Sequence, residues 1–583
     1  MARKVRRGGR AFGRREFVRA GMAGAFGAAL AGSAVDADVA ARTLARLAGE
    51  PQGGGGGRFD WEELTVRDAQ AAMKAGRVNA RRLTEMYLER IERIDRRGAA
   101  LNSVIETNPD ALAIAEALDR ERKSGRVRGP LHGVPVLIKD NIDTADRMQT
   151  TAGSLALVGA KPRRDAFVVE RLRAAGAVLI GKTNLSEWAN FRSTHSSSGW
   201  SGRGGQTKNP YALDRNPCGS SSGTGAAVSA NLALVGVGTE TDGSVVCPSS
   251  ACGLVGIKPT LGVVSRTGII PIAHSQDTAG PMARTVADAV ALLDVLAAHD
   301  PQDRVAGNGS TDIIWPRGSG APAARSGGPG TVVVVWPISL TQSLDPAGLR
   351  GARIGVARKF FGFNDKVDKL MADAIDLMKR EGATVVDPAD LPSHGKFDAA
   401  EFEVLLYEFK ADLNKYLASL APGEHPRTLK ALIEFNEQNR EREMPYFGQE
   451  LFIRAEAKGP LTEPAYLKAL RTSKQLSQAQ GIDAVMSKHK LDALIAPTGG
   501  PAWTTDLVNG DHFTGGSSTP AAVAGYPNVQ VPAGYVYGLP VGISFFGRAF
   551  TDAKLVRIAY AYEQATRHRQ PPRLQPQAEL LRG

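Results

Sequence analysis

Apolar and polar positions along this chain switch between two periods. Leu83, Met86, Tyr87, Ile91 and Ile94 recur at helical spacing and share one face. Thr65 with Asp68 forms a capping box that opens the preceding helix. Residues 111–123 read as a further helix. The run 136–138 then has apolar residues on both faces, as a buried strand does, and ends at Lys139. Val168, Leu172 and Ala175 face one way, Gly176 stops that helix, and 177–180 is the next apolar strand, ending at Gly181-Lys182. This is a βαβ-like unit of a doubly wound or mixed sheet. A strand restarts at 349–356, a helix covers 367–381, helices dominate 398–480, and 492–498 is another strand. The aromatics Phe402, Tyr407, Phe409 and Tyr416 of the helix-rich part read as core packing.

One stretch, 218–260, departs from both periods. Gly219-Ser220-Ser221-Ser222-Gly223 places hydroxyls among glycines, and Gly238-Thr239-Glu240-Thr241-Asp242-Gly243-Ser244 is a second small-residue loop. Small side chains let backbone N–H groups crowd around something bound. A helix-length apolar segment, 226–237, separates them, so serines from the two loops can meet in space. This stretch resembles the signature region of the amidase signature family of serine hydrolases, which use a Ser–cis-Ser–Lys triad. The resemblance extends over Gly133-Val134-Pro135 with Lys139-Asp140, over the segments 268–271 and 277–285 with the helix that follows to 297, and over a closing strand and helix at 538–566. It is strong over 62–300, good over 490–566 and weaker between.

The resemblance implies a single large α/β domain, 58–570, with a mixed, mostly parallel sheet covered by helices on both faces. It implies an amidase that cleaves a carboxylic amide C–N bond through an acyl-enzyme on Ser244. Ser220 would bridge Ser244 to Lys139, the base. The backbone N–H groups of Thr241, Asp242, Gly243 and Ser244 would form the oxyanion hole, and a cis peptide is expected at Gly219–Ser220. No metal and no cofactor are implied. Lys182 also ends an apolar strand, and the residues alone do not separate it from Lys139; the resemblance points to Lys139. Trp188, Asn190 and Phe191 lie where amidases approach the active site, and packing is the expected role. Two departures stand out. Asp242 replaces the first of the two glycines that commonly precede the nucleophile, and Ser222 and Thr224 stand where many relatives carry glycine and serine. The wording Thr239–Ser244 looks like the peptide-amidase branch, which removes C-terminal amides.

Charge changes the picture only at the N-terminus. The chain has 583 residues and a formal net charge of +12. Residues 1–20 carry eight Lys and Arg against Glu16 alone. With Asp36 also counted, half of the net charge lies in residues 1–37. Gly13-Arg14-Arg15-Glu16-Phe17 precedes a weak apolar segment at 20–35. This resembles a twin-arginine export signal, and it predicts a periplasmic or secreted enzyme whose precursor meets the twin-arginine machinery. The segment is too short and glycine-rich for a stable membrane span. Residues 38–57 read as a Gly-rich flexible linker, about 303–345 as a surface insertion with one apolar run at 332–336, and 571–583 as a tail. The basic remainder shows no basic–aromatic interleaving, so no nucleic-acid partner is expected. The partner is a small-molecule or peptide amide, and the chain is a monomer or homodimer. The three cysteines, Cys218, Cys247 and Cys252, read as small buried apolar residues. Their number and spacing suit neither a disulfide scaffold nor zinc. A Cys247–Cys252 disulfide has little in its favour.

Rival functions remain. Gly219-x-Ser221-x-Gly223 matches a nucleophile elbow, making Ser221 the nucleophile of an esterase with His425 or His512. That reading needs a buried strand before the elbow, where 208–217 is polar and holds two prolines. A glutaminase subunit of a tRNA-dependent amidotransferase is a second rival, and an inactive secreted binding protein is a third. Nucleotide binding fails, because no Lys-Ser/Thr follows the glycine loop.

Overall fold

The computed structural model describes residues 61–303, 311–314, 332–335 and 339–580. The export-signal and linker expectations, and most of the 303–345 insertion, fall outside the described residues. Fifteen strands are present among those described. They are β1 (Val104–Thr107), β2 (Pro135–Lys139), β3 (Val178–Thr183), β4 (Trp200–Ser201), β5 (Gly205–Gln206), β6 (Val235–Glu240), β7 (Val255–Lys258), β8 (Thr278–Ala283), β9 (Thr311–Ile314), β10 (Val332–Val335), β11 (Arg353–Val356), β12 (Thr384–Val386), β13 (Ala493–Pro497), β14 (Asn528–Val536) and β15 (Leu539–Phe546).

Eleven of them form one sheet in the order β1-β3-β2-β6-β8-β7-β14-β15-β13-β11-β12, and helices flank it. The sheet is mixed, as expected, but parallel pairing is confined to two blocks. One is β3-β2-β6 and the other is β13-β11-β12. Between them β8, β7, β14 and β15 run antiparallel to their neighbours. Within this antiparallel centre β14 and β15 form a hairpin through Tyr537-Gly538, and a hairpin can only pair antiparallel. The apolar run at 332–336 does contain a strand: β10 pairs in parallel with β9 in a separate two-stranded sheet.

Strands β2, β3, β6, β7, β8, β13 and β15 are buried along their whole length. Continuous apolar or small residues are what a strand covered on both faces requires. The helix Val66–Lys74 starts where the sequence predicts, with the Thr65 hydroxyl accepting from the Asp68 N–H at 3.1 Å. Phe409, Leu413, Leu417 and Phe452 build a second apolar core beneath the helices Asp398–Ser419 and Glu450–Glu456. Trp188 and Phe191 join it, so packing is their role here. Among the described residues, no helix is long and apolar enough to cross a membrane.

Candidate active site

Parallel pairing sets β2 beside β6, with Ile138 opposite Val237. Lys139 is the last residue of β2 and is wholly buried. Its ammonium donates to Ser220 Oγ at 2.7 Å, Thr239 Oγ1 at 2.9 Å and Thr239 O at 3.3 Å. Asn141 Nδ2 reaches the same Thr239 hydroxyl at 3.0 Å. Burial drives the lysine's pKa down to about 7, against the opposing pull of the Asp277 and Glu240 carboxylates.

Ser220 enters through a cis Gly219–Ser220 peptide, where it was expected. A Cβ at 219 would collide with the Ser186 hydroxyl and crowd that of Ser198, so a larger residue there must displace both. The Ser186 N–H donates to Ser220 O at 3.1 Å. Helix Ser222–Ser229 follows at once and ends near Asn231, which takes φ +58°. The apolar segment 226–237 is therefore the end of a helix and the start of β6, rather than one helix.

The second loop leaves β6 at Glu240. The buried Glu240 carboxylate accepts the N–H groups of Val245 at 2.8 Å and Val246 at 3.0 Å, and so caps the helix Val246–Ala251. Burial raises the Glu240 pKa, and burial lowers that of nearby Lys258 to about 8. The Thr241 hydroxyl donates to Asp277 at 2.6 Å. Asp277 also accepts from the N–H groups of Ile272 and Ala273, each at 2.9 Å, and burial lifts its carboxyl to about 6. Gly243 has φ +80°, and an added Cβ would stand 2.9 Å from Ser518 Oγ. The Ser244 carbonyl accepts the Ser221 N–H at 3.2 Å, which ties the two loops together. Ser244 keeps 8% exposure whereas Ser220 has none, so of the two only Ser244 can be reached from outside. Among the described residues, the N–H groups of Thr241, Gly243 and Ser244 donate to no protein acceptor, and the Ser244 hydroxyl makes no hydrogen bond to Ser220.

The cysteine reading is corrected. Cys218 and Cys247 form a disulfide with Cα atoms 6.0 Å apart, and only Cys252 remains a buried thiol. Cys218 precedes Gly219, and Cys247 lies three residues past Ser244. The crossing of the two loops brings them within bridging distance, although they are 29 positions apart in sequence.

Lys182 takes no part. It is buried too, but its ammonium is filled by Ile142 O, Gln149 O and Thr150 Oγ1 at 2.8–2.9 Å. Ser221 is held as well: its hydroxyl donates to Thr239 O at 3.1 Å and accepts the Thr239 N–H at 3.2 Å. His512 pairs with Asp506 on the surface and His425 lies beside Arg427, so neither serves Ser221. No strand of the large sheet leads directly into the elbow, since β3 ends at Thr183. The esterase reading fails on all three points. Sequence reasoning had missed Thr239, Asn141, Glu240, Asp277, Ser518 and Thr519. Glu240 and Asp277 had a signal, as carboxylates among small and apolar residues. Ser518 and Thr519 had none, because their contact with Asp242 spans 276 and 277 positions.

The site thus sets a fully buried lysine, at the end of β2, against Ser220 on the first of two converging serine loops, an arrangement equipped for amide hydrolysis without histidine. The particular family follows from comparison: the family model described as Amidase matches residues 82–316 and 331–556, and the chain belongs to that family. An Arabidopsis thaliana protein named as a probable amidase is 42% identical over 523 residues, 88% of this chain and 92% of that one. A solved peptide amidase in complex with chymostatin superposes with a TM-score of 0.81 at 50% identity, covering 88% of this chain and all of that one. A putative amidase of Arthroderma benhamiae is 36% identical over 88% of this chain and 83% of its own length. The chain is thus an amidase-family enzyme.

Proposed function

We propose that this amidase hydrolyses C-terminal peptide amides to the free peptide acid and ammonia, with Ser244 as nucleophile. The observation that carries the mechanism is the 2.7 Å bond between Lys139 and Ser220 in a site that holds the lysine near neutrality. Neutral Lys139 takes the Ser220 proton while Ser220 takes that of Ser244. Ser244 Oγ attacks the amide carbon, and the N–H groups of Thr241, Asp242, Gly243 and Ser244 receive the oxyanion. The proton returns along the same relay to the leaving nitrogen, and ammonia departs. Water then repeats the sequence to release the acid. The Ser220–Ser244 hydrogen bond that this relay needs forms when substrate fills the site, as catalytic hydrogen bonds commonly do. Likeness to a solved peptide amidase supports the choice of substrate.

The test is ammonia release from amidated peptides, with simple acyl amides, esters and glutamine alongside. Turnover of peptide amides that disappears in Ser244→Ala and in Lys139→Ala is the expected result. Full activity in Ser244→Ala overturns the mechanism. Preference for glutamine turns the assignment toward a tRNA-dependent amidotransferase, and no turnover of any amide in the wild type leaves a binding role.

We also infer export through the twin-arginine pathway. The Arg14-Arg15 signal motivates this, and a disulfide between Cys218 and Cys247 fits an oxidising compartment. Mature protein from cells that begins at residue 1 or 2 would refute it.

A further inference from the structure

Asp242 sits in the middle of the loop that ends in Ser244, where a carboxylate is electrostatically unwelcome. An anion beside a site built to receive an oxyanion opposes the reaction unless its charge is aimed away and neutralised. The structure supplies a reason for it. The Asp242 carboxylate accepts one hydrogen bond from the Ser518 hydroxyl at 2.5 Å and another from Thr519 Oγ1 at 2.8 Å. Hydrogen bonds to an ionised acceptor are the stronger kind.

Those two hydroxyls rest on a fixed seat. Ser517 Oγ donates to Pro497 O at 2.9 Å, at the end of β13. Ser518 O accepts the Ala522 N–H in the short helix Thr519–Ala524. Ser518 also fills the space that a side chain at 243 would need. On the other side of the loop, Thr241 is fastened to Asp277, and Glu240 grips Val245 and Val246. The loop 241–244 is thus held from both sides. The same C-terminal segment reaches the first serine loop through Asp511, which accepts from the Ser198 N–H at 2.9 Å, Ser198 Oγ at 2.5 Å and Asn216 Nδ2 at 3.3 Å. Asn216 in turn accepts the Cys218 N–H at 2.8 Å.

We propose that the Asp242 carboxylate is a positioning group, which docks the loop 241–244 onto Ser518 and Thr519 so that the backbone N–H groups of Thr241, Gly243 and Ser244 converge where the oxyanion forms. A glycine at this place would remove the loop's attachment to Ser518 and Thr519. The inference rests on the reading of Ser244 as nucleophile.

The test is steady-state kinetics on amide substrate, with binding of a peptide aldehyde whose hemiacetal oxygen would occupy the oxyanion site. Asp242→Ala is expected to lower kcat about tenfold or more with KM changed less than about twofold, and to weaken the aldehyde by a similar factor. Asp242→Asn keeps one oxygen acceptor and should recover part of the loss. Ser518→Ala with Thr519→Val should reproduce the loss, and adding Asp242→Ala to that pair should lower kcat no further. The pair alters no group of the loop itself, so it carries the test if Asp242→Ala fails to fold. An unchanged kcat in either variant, or losses that add, overturns the proposal. Ser244→Ala runs beside them: if it retains turnover the nucleophile reading fails, and if it is dead while Asp242→Ala is normal this inference alone fails.

Discussion

Lys139 and Lys182 end neighbouring strands and are both fully buried, and yet only one reaches a serine. Their register explains it. Lys182 lies opposite Ile138, one step from Lys139, and successive side chains of a strand point to opposite faces. The two ammonium groups therefore emerge on opposite sides of the sheet. Sequence pattern assigned each lysine the same apolar approach and could not supply the register. The difference is measurable. For Lys139, kcat/KM on amide substrate should rise with pH through a midpoint near 7, as the base becomes neutral. Its folded pKa lies below the ordinary lysine value of 10.5, so the unfolded chain holds the extra proton between those values. Stability from this group therefore rises with pH across that window. Lys139→Met should be inactive, and its melting temperature relative to wild type should fall as pH rises from about 7 to about 10.5, where the unfolded lysine also sheds its proton. Lys182→Met removes the donor from two buried acceptors, Ile142 O and Thr150 Oγ1, at about 1–3 kcal/mol each, and from the half-buried Gln149 O. It should lower the melting temperature markedly, while the protein that folds keeps its kcat within a few-fold.

At the scale of elements, the serine loops show how far a sequence can be read. Gly219, Gly243 and the small residues around them announced two tight loops, and both loops close on the same point. Less legible was the segment between them. Its even apolar character hid a helix end and a strand start, because full burial on every side removes the periodicity that distinguishes the two. The disulfide was illegible for a related reason. Cysteine spacing in sequence says nothing about which loops cross, and Cys218 meets Cys247 only after β6 has carried the chain back past Ser220. In the chain-entropy model, closing a loop of this size stabilises by roughly 3–4 kcal/mol. Cys218→Ser with Cys247→Ser should lower the melting temperature by several degrees and reduce kcat more than it raises KM, because the bridge joins the loops that carry Ser220 and Ser244.

At the scale of the whole molecule, the alternation of apolar strands and helices foretold an α/β sheet, but its order came from long-range pairing. In the antiparallel centre Asn528 of β14 lies opposite Lys258 of β7, far apart in sequence. One route from the helix-rich part, 398–480, to the serine loops runs through a buried cation. Arg192 is wholly buried, donates to Glu187 Oε1 and to Glu443 O, and stacks 4.3 Å over Phe447. Glu187 adjoins Ser186, which holds Ser220, so the arginine couples the outer helices to the site. Arg192→Met leaves Glu187 and Glu443 facing each other unpaired and should cost about 3–5 kcal/mol. Denaturant unfolding measures that loss, and it should shrink at low pH, because burial already raises the Glu187 pKa well above the usual carboxylate range and protonation removes the repulsion. The bridge from Cys218 to Cys247 also has a topological consequence: it makes the chain a lasso whose closed ring contains Ser220, Ser221 and Ser244 together. A protease cut within that ring severs no covalent connectivity, and an acylated Ser244 peptide stays attached to the peptide of Ser220. Labelled serines from this enzyme will be told apart only in digests whose sulfur bridge has first been opened.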